Sequence, residues 1–180
     1  MRAQISEKIA IPEGVSCSVS NGTIKCSKSG VELSKMIRVR SATIKVEGNE
    51  IVFDCKKGNK NNLKQIKSQM AHLRNLFLGL DKKYTYALEA CNVHFPMTLK
   101  IDKNKLLINN FLGEKVPRSA KILPNVDVQI KGVKITITSH DKEAAGQTAA
   151  NFEKATIVRN RDRRIFQDGI YIVEKPGREI

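Results

Sequence analysis

The residues best suited to chemistry are four arginines close together near the end of the sequence. They place four positive charges within six residues, and they are Arg159, Arg161, Arg163 and Arg164. An arginine guanidinium is a planar fork that matches phosphate oxygens, and charges this close repel one another unless anions share them. We therefore predict that this arginine cluster, opposed in sequence only by Asp162, binds a polyanion. Asn160 and Gln167 offer hydrogen bonds to 2′-hydroxyls and base edges, which favours RNA over DNA.

The net charge of the whole chain points to the same class of partner. The sequence holds 32 Lys and Arg against 18 Asp and Glu, a net charge of +14. Both halves share the excess, with +8 in residues 1–80 and +6 in residues 81–180. Such a field attracts nucleic acid first and an acidic membrane surface second. Because Trp is absent and Phe and Tyr total nine, phosphate contact is favoured over base stacking on aromatic rings.

A second set of basic residues lies on the first predicted helix. Its apolar residues recur at steps of three and four along one face, and they are Leu63, Ile66, Met70, Leu73, Phe77 and Leu80. Lys60, Lys64, Lys67 and Arg74 fall within about 80° of arc beside that face. The simpler interpretation is a solvated flank that covers the apolar stripe. We include the three lysines as weaker nucleic-acid candidates.

The sequence contains no catalytic or metal-binding constellation. His72, His94 and His140 share no ligand spacing, and the glycine motifs of phosphate loops and nucleophile elbows are absent. No two of the four cysteines lie three residues apart, so no zinc-knuckle pair exists. We therefore predict no enzyme activity, no cofactor and no metal.

Cys17 and Cys26 form a special pair. With Asn21-Gly22 as a two-residue turn, Cys17 lies opposite Cys26 in a predicted hairpin. A disulfide is geometrically possible there. The simpler interpretation is two small buried side chains that stay reduced in a reducing cytosol. Both interpretations stay open at this point.

Two successive blocks of the sequence share one order of elements. In each block, alternating apolar residues and turn residues predict two hairpins followed by a helix. The hairpins cover residues 15–26, 43–53, 97–108 and 126–138, and the helices cover residues 63–80 and 141–152. The turn glycines also repeat at nearly the same spacing, since Gly48 and Gly132 lie 84 residues apart and Gly30 and Gly113 lie 83 apart. The chain therefore contains an internal repeat.

This repeat predicts an α+β fold of two tandem, similar domains, each a small antiparallel β-sheet backed by one helix. The domains are residues 1–81 and residues 82–180, and Asp141 is the predicted N-cap of the second helix. The second domain has two predicted additions. One is a long strand over residues 84–94, and the other is a basic extension over residues 153–180.

Several strings of residues resemble landmarks of one known family. They are Ile11–Val15, Ser29–Leu33, Asn110–Lys115 preceded by His94–Pro96, and Arg163–Tyr171. Over about residues 5–175 the chain resembles the family of large ribosomal subunit protein six, in its archaeal and eukaryotic branch. That family has two tandem domains that arose by duplication, in agreement with the repeat.

The resemblance implies a structural component of the large ribosomal subunit that binds ribosomal RNA in the cytoplasm. It also implies a position near the stalk base and the loop where translational GTPases act, with neighbouring ribosomal proteins as further partners and neither membrane nor small-molecule substrate. The RNA contact of the family's C-terminal domain then falls on the arginine cluster with Gln167 and Tyr171. Asn109, Asn110 and Lys115 are weaker candidates.

The residues also leave a second function open. A strongly positive surface suits a protein–protein adaptor whose partners are acidic, such as stalk proteins or GTPase factors. We prefer RNA, because closely spaced arginine forks match phosphate geometry.

Overall fold

The computed structural model describes residues 3–20, 22–37, 39 and 42–179. Asn21, predicted in the first hairpin turn, lies outside these residues. The chain divides into two compact units, residues 1–82 and residues 83–180.

The described residues of the first unit form six strands and one helix. In chain order they are β1 (Ala3–Ala10), β2 (Ser16–Ser20), β3 (Thr23–Lys28), β4 (Val31–Met36), β5 (Thr43–Glu47), β6 (Glu50–Gly58) and α1 (Lys60–Asp81). They form two antiparallel sheets, ordered β1-β6-β5 and β2-β3-β4. The register places Cys17 opposite Cys26, as predicted from the turn.

Helix α1 forms because an apolar stripe recurs at helical spacing and a polar residue caps its start. The Asn59 side chain accepts a hydrogen bond from the Asn62 amide at 2.9 Å. The stripe packs against strands of both sheets, and its buried members include Ile66, Leu73 and Phe77. Burial of that stripe, rather than propensity alone, stabilises the helix.

In the second unit, residues 83–179 form eight strands, one 3-10 turn and one helix. In chain order they are β7 (Tyr84–Cys91), β8 (Thr98–Asp102), β9 (Lys105–Asn109), the turn Phe111–Gly113, β10 (Arg118–Lys121), β11 (Asp127–Lys131), β12 (Lys134–Ser139), α2 (Lys142–Ala155), β13 (Gly169–Lys175) and β14 (Arg178–Glu179). The sheets are ordered β10-β9-β8 and β11-β12-β7-β13-β14. Asp141 caps α2 as predicted, accepting a hydrogen bond from the Glu143 amide at 2.8 Å. No helix in the described part of the chain combines the length and apolar character that a membrane span requires.

The predicted α+β fold with an internal repeat is confirmed, because one sheet of each unit has the same strand order. The order β1-β6-β5 in the first unit matches β7-β12-β11 in the second. Gly48 and Gly132 occupy equivalent hairpin turns with φ of +60° and +62°, a conformation that favours glycine. Among the described residues each unit has two sheets rather than the single predicted sheet, because its two hairpins lie in different sheets, and β4 and β10 each add a third strand to one of those hairpins.

The prediction that residues 84–94 are an addition to the second unit was wrong. Strand β7 pairs with β12 in the position that β1 holds beside β6. The sequence pattern hides β1 because Glu7 interrupts the apolar alternation between Ile5 and Ile9. The Glu7 carboxylate lies 4.0 Å from Lys67 Nζ on α1, and this ion pair accommodates the charge. The true additions to the second unit are β13 and β14.

Candidate nucleic-acid interface

The arginine cluster lies in an irregular segment between α2 and β13, residues 157–168, and all four side chains are exposed. A turn centred on Asp162 shapes this segment. The Asp162 carbonyl accepts hydrogen bonds from the amides of Ile165 (3.1 Å) and Phe166 (2.9 Å). Its carboxylate accepts one from the Arg164 amide at 3.0 Å. An aspartate that binds the backbone two residues ahead is a common turn-forming device, so the segment has a defined local conformation.

The four arginines differ in their partners. Arg164 Nη2 donates to Asp162 Oδ2 at 2.9 Å, and hydrogen bonds from Arg164 hold the pKa of Asp162 below its ordinary value. The Arg161 guanidinium lies 4.7 Å from the centroid of the Phe166 ring, a cation–π contact. In the described part of the chain, no acidic side chain forms an ion pair with Arg159, Arg161 or Arg163. Three of the four charges therefore have no acidic partner there.

Asp168 anchors the end of this segment. Its buried carboxylate accepts hydrogen bonds through Oδ1 from the amides of Val93 (2.8 Å) and His94 (3.0 Å), and Oδ2 lies 2.6 Å from His94 Nδ1. Burial alone raises the pKa of a carboxyl group, but these hydrogen bonds together hold the pKa of Asp168 below its ordinary value. The carboxylate is therefore ionised, and it orients the His94 ring.

His94 also joins the segment through its ring. The imidazole stacks on Phe166 with centroids 4.7 Å apart and planes at 26°. Phe166 thus contacts both His94 and Arg161. The sequence pattern does not reveal this cluster, because Asp168 and His94 lie 74 residues apart and no local spacing links them.

The Asn110–Lys115 loop contacts residues 93–96. Asn110 Nδ2 donates to the Pro96 carbonyl at 3.1 Å. Gly113 has φ of +80°, and a Cβ at this position would lie 3.4 Å from the Phe95 ring, so glycine allows both the backbone conformation and the close approach. Residues 93–96 therefore connect two of the strings that the sequence singled out.

Arg118 fixes the start of the 157–168 segment. Its Nη1 donates to the Ala155 carbonyl at the end of α2 at 2.8 Å, and its Nε donates to Glu114 Oε2 at 2.7 Å. The guanidinium lies 4.3 Å from the centroid of the Phe111 ring. Hydrogen bonds from Arg118 lower the pKa of Glu114. A cation that binds the last carbonyls of a helix also interacts favourably with the helix dipole.

An open cleft of about 360 Å³ adjoins this contact. Most of the side chains that line it are basic or small. The lining residues are Arg118, Ser119, Lys154, Ala155, Ile157 and Arg159. Since Glu114 already pairs with Arg118, Lys154 and Arg159 supply the uncompensated charge in this lining.

The remaining candidates of the second unit divide into exposed and half-buried side chains. Gln167 is exposed, and its Nε2 donates to the Arg164 carbonyl at 3.2 Å. Asn110 and Lys115 are exposed in their loop. Tyr171 is half-buried, and its ring approaches Gly169 closely enough that a Cβ there would lie 3.2 Å from the Tyr171 hydroxyl oxygen. Tyr171 and the half-buried Asn109 therefore contribute less accessible polar surface than the others.

The candidate lysines of α1 lie in the first unit, whereas all other candidates lie in the second. Lys60, Lys64 and Lys67 are exposed. Lys67 is the one that lies 4.0 Å from the Glu7 carboxylate, which lowers its capacity to attract an external anion. This ion pair favours the solvated-flank interpretation for Lys67.

No group of three or more His, Cys, Asp or Glu in the described residues is arranged to hold a metal ion. The chemistry that the second unit offers is instead cationic. It consists of guanidinium groups on an exposed segment held at one end by Arg118 and at the other by Asp168. Such an arrangement suits recognition of phosphate oxygens.

Comparison with known proteins identifies the family to which the chain belongs. Residues 95–169 match the family model described as ribosomal protein L6. A large ribosomal subunit protein uL6 from Methanococcus vannielii is 41% identical over 177 residues, covering 98% of this chain and 97% of the relative. One from Methanobrevibacter smithii is 38% identical over 173 residues, covering 96% and 97%. Similarity of this extent over nearly the whole of both chains shows that the chain belongs to the ribosomal protein L6 family.

Proposed function

We propose that this protein is a structural, non-catalytic constituent of the large subunit of the cytoplasmic ribosome, and that it binds large-subunit ribosomal RNA through Lys and Arg contacts to phosphate. Family membership supports the ribosomal role, since the relatives are large-subunit ribosomal proteins by name. Neighbouring ribosomal proteins are then its other partners. The net charge of +14 suits assembly with a polyanion.

The observation that carries the RNA contact is the anchored arginine cluster. Arg159, Arg161 and Arg163 lack acidic partners in the described residues, so a bound phosphate need not displace a carboxylate. The segment is held at both ends and by its own turn. Binding therefore loses less conformational entropy than it does with a free tail.

The individual residues divide by expected strength of contact. Arg159, Arg161 and Arg163 bind phosphates directly, and Arg164 does so after exchanging its bond with Asp162. Gln167, Asn110 and Lys115 add hydrogen bonds or charge at the margin. Asn109 and Tyr171 contribute less because they are half-buried, and Lys67 contributes less because it lies near the Glu7 carboxylate. Lys60 and Lys64 are weaker candidates because a single lysine lacks the planar fork with which arginine binds phosphate.

We also infer that the protein lies near the stalk base and the site of translational GTPases. This location rests on the resemblance of Asn110–Lys115 and Arg163–Tyr171 to the family's landmarks. A chemical footprint of ribosomal RNA in subunits with and without the protein tests it. Protection confined to RNA away from the GTPase site would contradict it.

Reconstitution of large subunits that lack this protein tests the RNA contact. A variant with all four cluster arginines changed to Glu should fold but fail to incorporate, because phosphate repels the new carboxylates. The variant Lys60→Gln, Lys64→Gln, Lys67→Gln is the control and should incorporate almost normally. Circular dichroism checks that both fold. Normal incorporation of the four-Glu variant would overturn the proposal.

The adaptor alternative has one observation in its favour. Three apolar side chains near the arginine cluster are exposed, with Val93 65%, Phe95 43% and Ile165 61% accessible. Such exposure suits a protein partner as well as RNA. Digestion of sedimenting particles with RNase separates the two functions, because release of the protein indicates RNA binding and retention indicates an adaptor.

A further inference from the structure

Two thiols face each other across the β2–β3 hairpin of the first unit. Cys17 and Cys26 are directly opposite partners in the antiparallel register, and their Sγ atoms are 2.7 Å apart. Both are free cysteines. A disulfide bond measures about 2.05 Å, so the two sulfurs lie within about 0.7 Å of bonding distance.

The hairpin fixes this approach. Cys17 alternates with the exposed Ser16 and Ser18 along β2, and Cys26 is fully buried on β3. A slip of one residue in either strand would turn the cysteine of that strand to the solvent face, so burial of the inner face holds the register. On the outer face the hydroxyls of Ser16 and Ser27 are 3.0 Å apart, which supports the same pairing.

The arrangement also limits what these thiols can bind. A metal ion held by two thiolates must fit between the sulfurs at about 2.3 Å from each for zinc. At 2.7 Å the two sulfurs are too close for such a bridge without separating, whereas bond formation needs only a small further approach. The geometry therefore favours a covalent link between them.

We propose that Cys17 and Cys26 form a reversible intramolecular disulfide, and that the hairpin is a site of oxidation by peroxides. The Cys17 thiolate attacks one peroxide oxygen, the O–O bond breaks, and the leaving hydroxide takes a proton to give water and a Cys17 sulfenic acid. The Cys26 thiolate then attacks the Cys17 sulfur, the S–S bond forms, and the S–O bond breaks to release a second water. Two thiols lose two electrons and two protons, and one peroxide becomes two waters.

The burial of the pair assigns the two steps. Cys17 is half-buried and Cys26 is inaccessible, so Cys17 meets the oxidant first. Burial raises the pKa of both thiols, most strongly for Cys26. Because the thiolate is the nucleophile, oxidation is slow at neutral pH and accelerates as pH rises.

Peptide mapping of the full chain tests the proposal. The reduced protein is treated with hydrogen peroxide at about pH 8, alkylated in denaturant and digested with trypsin. Cleavage after Lys25 separates the two cysteines, so we expect residues 9–25 joined to residues 26–28 by one disulfide. Alkylation should count two free thiols instead of four, and a reducing agent should restore both.

Matched variants make the result decisive. Cys55→Ser should keep the cross-link, whereas Cys17→Ser should abolish it and leave Cys55 and Cys91 alkylated. Four free thiols after oxidation, or a link through Cys55 or Cys91, would each overturn the proposal. Because the arginine cluster lies in the other unit, oxidation should leave RNA affinity unchanged, so this result is independent of the proposed function.

Discussion

His94 Nδ1 lies 2.6 Å from Oδ2 of Asp168, although the two residues are 74 positions apart in the sequence. Through this contact a negatively charged side chain organises a positively charged surface. Asp168 binds the backbone and ring of His94, His94 stacks on Phe166, and Phe166 lies beneath Arg161. The position of the Arg161 cation therefore depends on a buried carboxylate.

Replacing that carboxylate should weaken both the fold and RNA binding. Asp168→Asn keeps the shape but removes the charge that orients His94, and we expect the free energy of unfolding to fall by about 1–3 kcal/mol. Affinity for large-subunit ribosomal RNA should fall severalfold, although the variant is more positive overall. Urea unfolding and filter binding measure the two effects. The exposed Asp102→Asn changes the net charge equally, and equal effects of the two variants would contradict this role.

The same carboxylate should make stability depend on pH. The pKa of Asp168 in the folded protein lies below its ordinary value. Its contribution to the free energy of unfolding is therefore fully present above about pH 4, and it is lost as the pH falls through the folded pKa. Urea unfolding between about pH 2.5 and pH 6 should therefore show a steeper acid loss in the wild type than in Asp168→Asn. Parallel pH profiles would show that Asp168 is not the group responsible.

The three cluster arginines that have no acidic partner among the described residues should dominate the salt dependence of RNA binding. Changing Arg159, Arg161 and Arg163 to Gln should reduce the slope of log affinity against log salt concentration by about 2–3, at roughly 0.7–0.9 per phosphate contact. The control that changes Lys60, Lys64 and Lys67 to Gln removes the same charge and should reduce the slope by less than about 1. Titration of ribosomal RNA at several salt concentrations measures both. An equal reduction of the slope in the two variants would show that binding depends on net charge rather than on the arginine cluster.

Arg118 should affect RNA binding by holding the 157–168 segment in place rather than by binding phosphate itself. Arg118→Met removes the hydrogen bond to the Ala155 carbonyl and leaves Glu114 without its partner, so stability should fall by about 1–2 kcal/mol. RNA affinity should also fall, while the salt slope stays near its wild-type value, because no phosphate contact is lost. Arg178→Met, at an exposed position, is the control. A fall in slope of about one unit would instead make Arg118 a direct phosphate ligand.

Local sequence signals predicted the elements whose structure depends on neighbours in the chain. The two-residue turn predicted the register of Cys17 and Cys26, and the apolar period predicted the buried face of α1. Asp141 was recognisable as a cap because capping acts over two or three residues. The Asn59 cap and the strand containing Glu7 were missed, the second because an inward charge breaks the alternation on which strand prediction depends.

The candidate site was predictable as a cluster of cations but not as an organised surface. The four arginines lie within six residues of the sequence, so their charge density is visible at once. The contacts that position them, from Asp168 to His94 and from Arg118 to Ala155, span 74 and 37 residues. Such contacts follow from how the strands pair, which no local pattern contains.

Strand β13 pairs along β7 immediately after the arginine cluster, and this pairing bears on how the cluster can be studied. A chain cut before Gly169 would lose the strand that covers one edge of β7. Uncovered edges recruit strands from other molecules and lead to aggregation. Deletion of the C-terminal residues would therefore produce insoluble protein as well as remove cations, whereas substitutions at single arginines leave this edge covered.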